Sequence, residues 1–225
     1  MENYCSRQSK LALEWISKMH SRLITTIILC SVILGAGCLK RRDVGQKNKQ
    51  TLRGSGVVFL VPLGDFPAAT AESLADYYRK RFKIEVKTLP AIALTDTVKN
   101  AQRNQLVAEK LIILLKEARP ELVHDPAAFV IGLTHDDLYI EHRDWQYAFS
   151  WRQEGKYAVA SSSRLNEGGP LKETSEEQAS IRFRKIVTKN IGLLYYHLSQ
   201  SDDPRSVLYG RVESVRDLDK MSEDF

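Results

Sequence analysis

Val57-Val58-Phe59-Leu60-Val61 runs without a polar residue between Gly56 and Pro62. An unbroken apolar run between such breakers predicts a strand covered on both faces, as parallel sheets require. Pro67 then opens a helix whose Leu74, Tyr77, Tyr78 and Phe82 form an apolar stripe, and Ile84-Glu85-Val86 resumes a strand. A second helix is predicted from about Arg103 to Arg119. It places Val107, Leu111, Leu114 and Leu115 on one side and stops before Pro120. Ala128 to Leu133 reads as another buried strand.

Trp145 to Trp151 and Tyr157 to Ser161 are two more strand candidates, separated by a turn at Gln153-Glu154-Gly155-Lys156. In the first of these Trp145, Tyr147, Phe149 and Trp151 alternate, which predicts one wholly aromatic strand face. Residues 166–175 read as a loop, a long helix runs from Glu176 to about Ser199, and a last helix from about Val212 to Ser222 buries Val215, Leu218 and Met221. No internal repeat or low-complexity tract interrupts this order. It is that of an α/β domain.

A different pattern precedes Gly56. From Leu23 to Cys38 the chain is uncharged and apolar over 16 residues, following Lys18, His20 and Arg22. That is short for a bilayer span, which needs about 20 residues. Its end, Leu34-Gly35-Ala36-Gly37-Cys38, has the form of a bacterial lipobox. Residues 1–37 are therefore expected to be a signal peptide, with Met19 the expected translation start, and Cys38 the lipidated, palmitate-bearing residue. The other reading of the run is an uncleaved membrane anchor, and both tether the domain. Residues 38–55 read as a basic, flexible linker and 56–225 as the folded domain. Leu39 after the cysteine points to the outer membrane, facing the periplasm, rather than the inner.

Charge follows the same division. The formal net charge is +5, but residues 55–225 carry 23 basic and 25 acidic side chains. The excess sits in the linker, at Lys40, Arg41, Arg42, Lys47, Lys49 and Arg53, where a membrane surface would attract it. A near-neutral domain argues against nucleic-acid binding, which needs clustered cations on the folded part. The three cysteines, Cys5, Cys30 and Cys38, all precede it, so a disulfide framework or a cysteine zinc site within it is excluded.

Ile131-Gly132-Leu133-Thr134-His135-Asp136-Asp137-Leu138-Tyr139 resembles the archaemetzincin family of zinc peptidases, whose members carry Gly-Val-Thr-x-x-Asp-Leu-Tyr at a strand end. Val61-Pro62-Leu63-Gly64, Leu89-Pro90, Arg103-Asn104-Gln105 and Ser163-Arg164-Leu165 extend the resemblance over about residues 56–225. It implies a metzincin-like fold: a mixed, mainly parallel sheet flanked by helices, with a long former active-site helix.

The family helix reads Arg-x-x-Lys-Glu-Ala-x-His-Glu-Leu-Gly-His-x-x-Gly-Leu-x-His-Cys, and Arg182, Lys185 and Gly192 fix the register against it. Lys189 then falls on the first zinc histidine, Asn190 on the general-base glutamate, Leu193 on the second histidine, Tyr196 on the glycine bend and Ser199 on the third histidine. Leu208 is the counterpart of the methionine in the family's methionine turn. Histidines four apart on a helix converge on one ion while the glutamate takes a proton from the bound water. A lysine ammonium repels a dication, leucine has no lone pair, and an amide is no base.

The resemblance thus implies a domain without catalytic residues, metal or cofactor. Such a domain would be a pseudopeptidase acting as a binding or scaffold module for a peptide or envelope protein. The alternative is an active zinc metallopeptidase with a non-standard ligand set drawn from His135, His142 or His197. A structural envelope protein without a ligand is a third reading. Of the six chemistry-bearing residues His135, Asp136, Asp137, Glu141, His142 and Asp144, the acidic members are read as solvated. Ser161-Ser162-Ser163 lacks a nucleophile's turn and partner. Trp145, Tyr147, Phe149, Trp151, Tyr195, Tyr196 and His197, with Lys189, are the candidate binding residues. In metzincins the edge strand pairs with extended substrate, a role that Trp145 to Trp151 would take here.

Overall fold

Strand β1 (Val57–Pro62) lies at the heart of a five-stranded sheet, with β2 (Glu85–Thr88) and β5 (Ala128–Thr134) on either side, both parallel to it. Beyond β5 come β8 (Tyr157–Ser161), also parallel, and β7 (Ser150–Gln153), antiparallel at the edge, giving the order β2-β1-β5-β8-β7. The computed structural model describes residues 52–166 and 174–225. The expected signal peptide, Cys38 and most of the linker lie outside the described residues.

Both faces of the sheet are covered, which is why β1 and β5 read as continuous apolar runs. On one face Val58, Leu60, Ile131, Leu133, Ala158 and Ala160 meet helices α1 (Ala68–Phe82) and α4 (Glu176–Leu194). On the other Val61, Val130 and Val159 meet α2 (Ala108–Ala118). Gly132 lets this second layer close, because a Cβ there would stand 2.8 Å from Leu63 Cδ1 and 3.1 Å from Leu115 Cδ1.

Four elements differ from the sequence expectation. The helix expected from Arg103 begins only at Ala108. Before it, β4 (Gln105–Val107) joins a small sheet with β3 (Lys99–Asn100) and β6 (Leu138–Tyr139), and after it Pro120–Val123 forms the separate short helix α3. Gln105 fixes the strand, its amide donating to Asp137 Oδ2 and to the Gln146 carbonyl.

The aromatic strand is the second difference. Only residues from Ser150 onward are in the ladder, and Phe149 and Trp151 belong to different layers of the core. Third, α4 stops at Leu194. Tyr196 and Leu198 N–H groups turn back to the carbonyls of Ile191 and Gly192, and His197 takes a left-handed conformation at φ 51°. Fourth, the last helix, α5, is confined to Val215–Lys220 by a capping box between Ser214 and Asp217.

Candidate functional site

Helix α4 starts at Ser175, whose hydroxyl accepts from the Gln178 N–H, with Glu176 and Glu177 in the positive first turn. Three basic residues then project from one stripe, at helical spacing, toward the C-terminal segment. Arg182 grips Asp219 with two nitrogens at 2.8 and 2.7 Å and also donates to the Leu165 carbonyl. Lys185 donates to the Leu218 carbonyl at 2.8 Å, and Lys189 donates to the Tyr209 carbonyl. All three are buried. The Arg182 guanidinium holds the Asp219 carboxyl below its ordinary range.

At the positions that the family resemblance aligns with the zinc ligands, the side chains have other partners. Lys189 is 8% exposed, and its ammonium is lowered to about 8, first by burial and then by the Arg152 charge. Asn190 is fully buried. Its Oδ1 accepts from Arg152 Nη1 at 2.9 Å and from the Ser150 hydroxyl at 3.5 Å, while its Nδ2 has no hydrogen-bond partner among the described residues. Burial also holds the Arg152 guanidinium below its ordinary value. Leu193 is half-buried and Ser199, past the helix end, is exposed. Lys189, Asn190, Leu193 and Ser199 do not fit a zinc ion, because no two of them offer a basic lone pair.

Leu208, the expected methionine counterpart, packs against the helix. A Cβ on Gly192 would stand 2.7 Å from Leu208 Cδ2, so the approach of helix and turn depends on that glycine. Tyr196 does not make the bend expected of it. Its ring is buried against Phe225 at 5.4 Å, its phenol is pushed up to about 12 by burial, and the left-handed residue is His197, one position on.

The other candidates are dispersed. His135 Nδ1 meets the Ser162 hydroxyl at 2.5 Å with its ring against Phe66. His142 Nδ1 meets Glu109 at 2.7 Å, and His197 lies edge-on to Phe129. Asp137 is paired with Arg164. Among the described residues no three of His, Cys, Asp or Glu come together to hold a metal. Tyr195 and Tyr196 are core residues beside Phe129 and Phe225.

A cleft of about 760 Å³ opens beside α4 and the edge strand β7, lined by Trp145, Tyr147, Phe149 and Trp151, by Arg152, Ile186 and Lys189, and by residues of the C-terminal segment. The four aromatics border it from different layers. Trp145 is 54% exposed, Tyr147 lies under the Arg164 guanidinium and donates to the Glu213 carbonyl, and Phe149 is buried. Arg152, which lines the cleft and bonds to Asn190, is the residue that the helix alone does not reveal. Arg152 alternates with Ser150 and so shares its sheet face.

No protein-family model matches the sequence, and no curated protein matches it closely. Solved structures do. An archaemetzincin from Archaeoglobus fulgidus, solved in complex with malonate, is 24% identical, with a TM-score of 0.59 over 75% of this chain and 94% of that one. An archaemetzincin from Methanopyrus kandleri is 23% identical, with a TM-score of 0.58 over 77% and 91%. A zinc-dependent peptidase from Methanocorpusculum labreanum is 19% identical, with a TM-score of 0.61 over 75% and 95%. The domain has an archaemetzincin-like fold, mixed α/β with a mainly parallel sheet, and it carries that fold without the zinc-binding motif.

Proposed function

We propose that this chain is a lipid-anchored protein of the bacterial cell envelope whose archaemetzincin-like domain is a pseudopeptidase that binds a peptide or envelope protein. The observation that supports the loss of catalysis is Lys189. It is a buried cation bonded to the Tyr209 carbonyl, and the family resemblance aligns it with the first metal ligand. The ion is repelled there, and Asn190 beside it cannot accept a proton from water. A cleft beside this helix without the family's hydrolytic groups is what a binding module needs.

Metal analysis of the purified full-length chain tests the reading. Less than a tenth of an equivalent of zinc, on the order of background, is expected; one tightly held zinc per chain would establish the active peptidase instead. The anchor is tested separately by labelling cells with palmitate, which is expected to mark the wild type and not Cys38→Ala.

A further inference from the structure

Arg152 and Lys189 are two cations that line one cleft, and neither has an acidic partner among the described residues. Arg152 bonds to an amide oxygen and Lys189 to a backbone carbonyl. Elsewhere in the domain the well-buried Arg182 is matched by a carboxylate, as buried charges ordinarily are. Burial weakens both cations in the cleft, and Lys189 also feels the charge of Arg152, which no nearby anion offsets. The Asn190 amide that Arg152 bonds has an Nδ2 with no hydrogen-bond partner among the described residues. The lining also has apolar members, Trp145, Tyr147, Val212 and Met221 among them, and its four cations, Arg143, Arg152, Lys189 and Arg211, outnumber its two carboxylates, Asp144 and Glu213.

A like-charge pair lining a cleft, Lys189 buried and Arg152 half-buried, is stabilised when an anion enters. The apolar walls argue for an anion with an organic body rather than a compact hydrated ion. We propose that the part of the cleft lined by Arg152 and Lys189 is a carboxylate site, in which the Arg152 guanidinium and the Lys189 ammonium together hold the anionic end of a ligand whose apolar body lies along the aromatic wall. This deepens the reading of the domain as a binding module, on which it rests. The carboxylate could be the free end of a peptide or that of a small organic acid, and the two bring the same headgroup.

Titration of the full-length protein in detergent, followed by tryptophan fluorescence, distinguishes them. The probes are acetyl-Ala-Ala-Phe with a free carboxyl end, the same peptide as its amide, succinate, and inorganic phosphate. The free-acid peptide is expected to bind roughly tenfold or more tightly than the amide, the difference expected for a charge-assisted contact, and Lys189→Met and Arg152→Gln are each expected to erase that preference. Succinate binding as tightly as the peptide acid, with the same dependence on both cations, supports the site and assigns it to a small acid. Equal binding of acid and amide with no succinate binding overturns it, as does phosphate binding more tightly than either carboxylate. The acid and amide comparison uses the wild-type chain and stands even if a variant does not fold. Cleavage of the peptide, or zinc in the purified chain, would defeat the pseudopeptidase reading without touching the carboxylate preference.

Discussion

The Lys189 ammonium on helix α4 donates to the backbone carbonyl of Tyr209, tying the helix to the segment that follows Leu208. The bond satisfies the lysine only in part, since burial and the Arg152 charge bring its proton affinity down to about 8. In the unfolded chain the same group titrates near 10.5. Between these values the unfolded state holds the extra proton, so stability rises with pH across that window, and the penalty of a buried charge is fully present below it.

Lys189→Met removes the penalty along with the hydrogen bond. Relative to wild type, the variant is expected to lose about 3 kcal/mol of its advantage between pH 7 and pH 10.5, as the wild-type lysine becomes neutral in the fold. Urea unfolding of both proteins at the two values measures it. A stability difference that stays constant with pH would show that Lys189 is not desolvated.

Asn190→Asp places a carboxylate against Arg152, where the asparagine oxygen now accepts at 2.9 Å. The new charge is expected to raise stability by about 1 kcal/mol after its own desolvation, with a melting temperature a few degrees higher. It is also expected to weaken binding of the free-acid peptide, because the site then holds an internal anion. Differential scanning fluorimetry with and without the peptide reads both effects.

Asp219→Asn leaves the buried Arg182 guanidinium without its bidentate partner. Asp219 is itself partly exposed, so solvent screens the pair, and a loss of about 2 kcal/mol is expected at pH 7. The carboxyl is held below 3.8 in the fold. Its contribution is therefore present above that value and disappears as pH falls through the lower folded pKa. Wild type and variant are expected to converge in acid, and chemical denaturation at pH 7 and near pH 2 checks this.

Lys189→His, Asn190→Glu, Leu193→His and Ser199→His together return the family's metal chemistry to α4. Positions 189 and 193 both lie within the helix, one turn apart, and Ser199 follows the left-handed turn at His197. Zinc binding measurable by competition with a chromogenic chelator is expected of the fourfold variant and not of the wild type. Failure to gain any affinity would mean that these residues do not stand where the alignment puts them.

The sheet was legible because its inner strands are buried on both faces, and Val57 to Val61 and Ala128 to Leu133 announce that by their unbroken apolar runs. Residues 103–107 misled for a physical reason: Leu106 and Val107 fit the apolar stripe of the following helix, and a buried side chain of Gln105, not a propensity, places them in a ladder. Trp145 to Trp151 misled because alternation holds a face only while the chain stays in the sheet, and the ladder begins at Ser150. Lys189 and Asn190 could be read against the family's helix. Their neighbour Arg152 could not, since it reaches them from a strand far away in sequence and only the pairing of β7 with β8 brings it there.

The stripe of Arg182, Lys185 and Lys189 has one more consequence. These side chains stitch the former ligand helix to residues 209–219 with hydrogen bonds supplied entirely by the polypeptide. A chelator that strips ions from its surroundings is therefore expected to leave this C-terminal stitching intact.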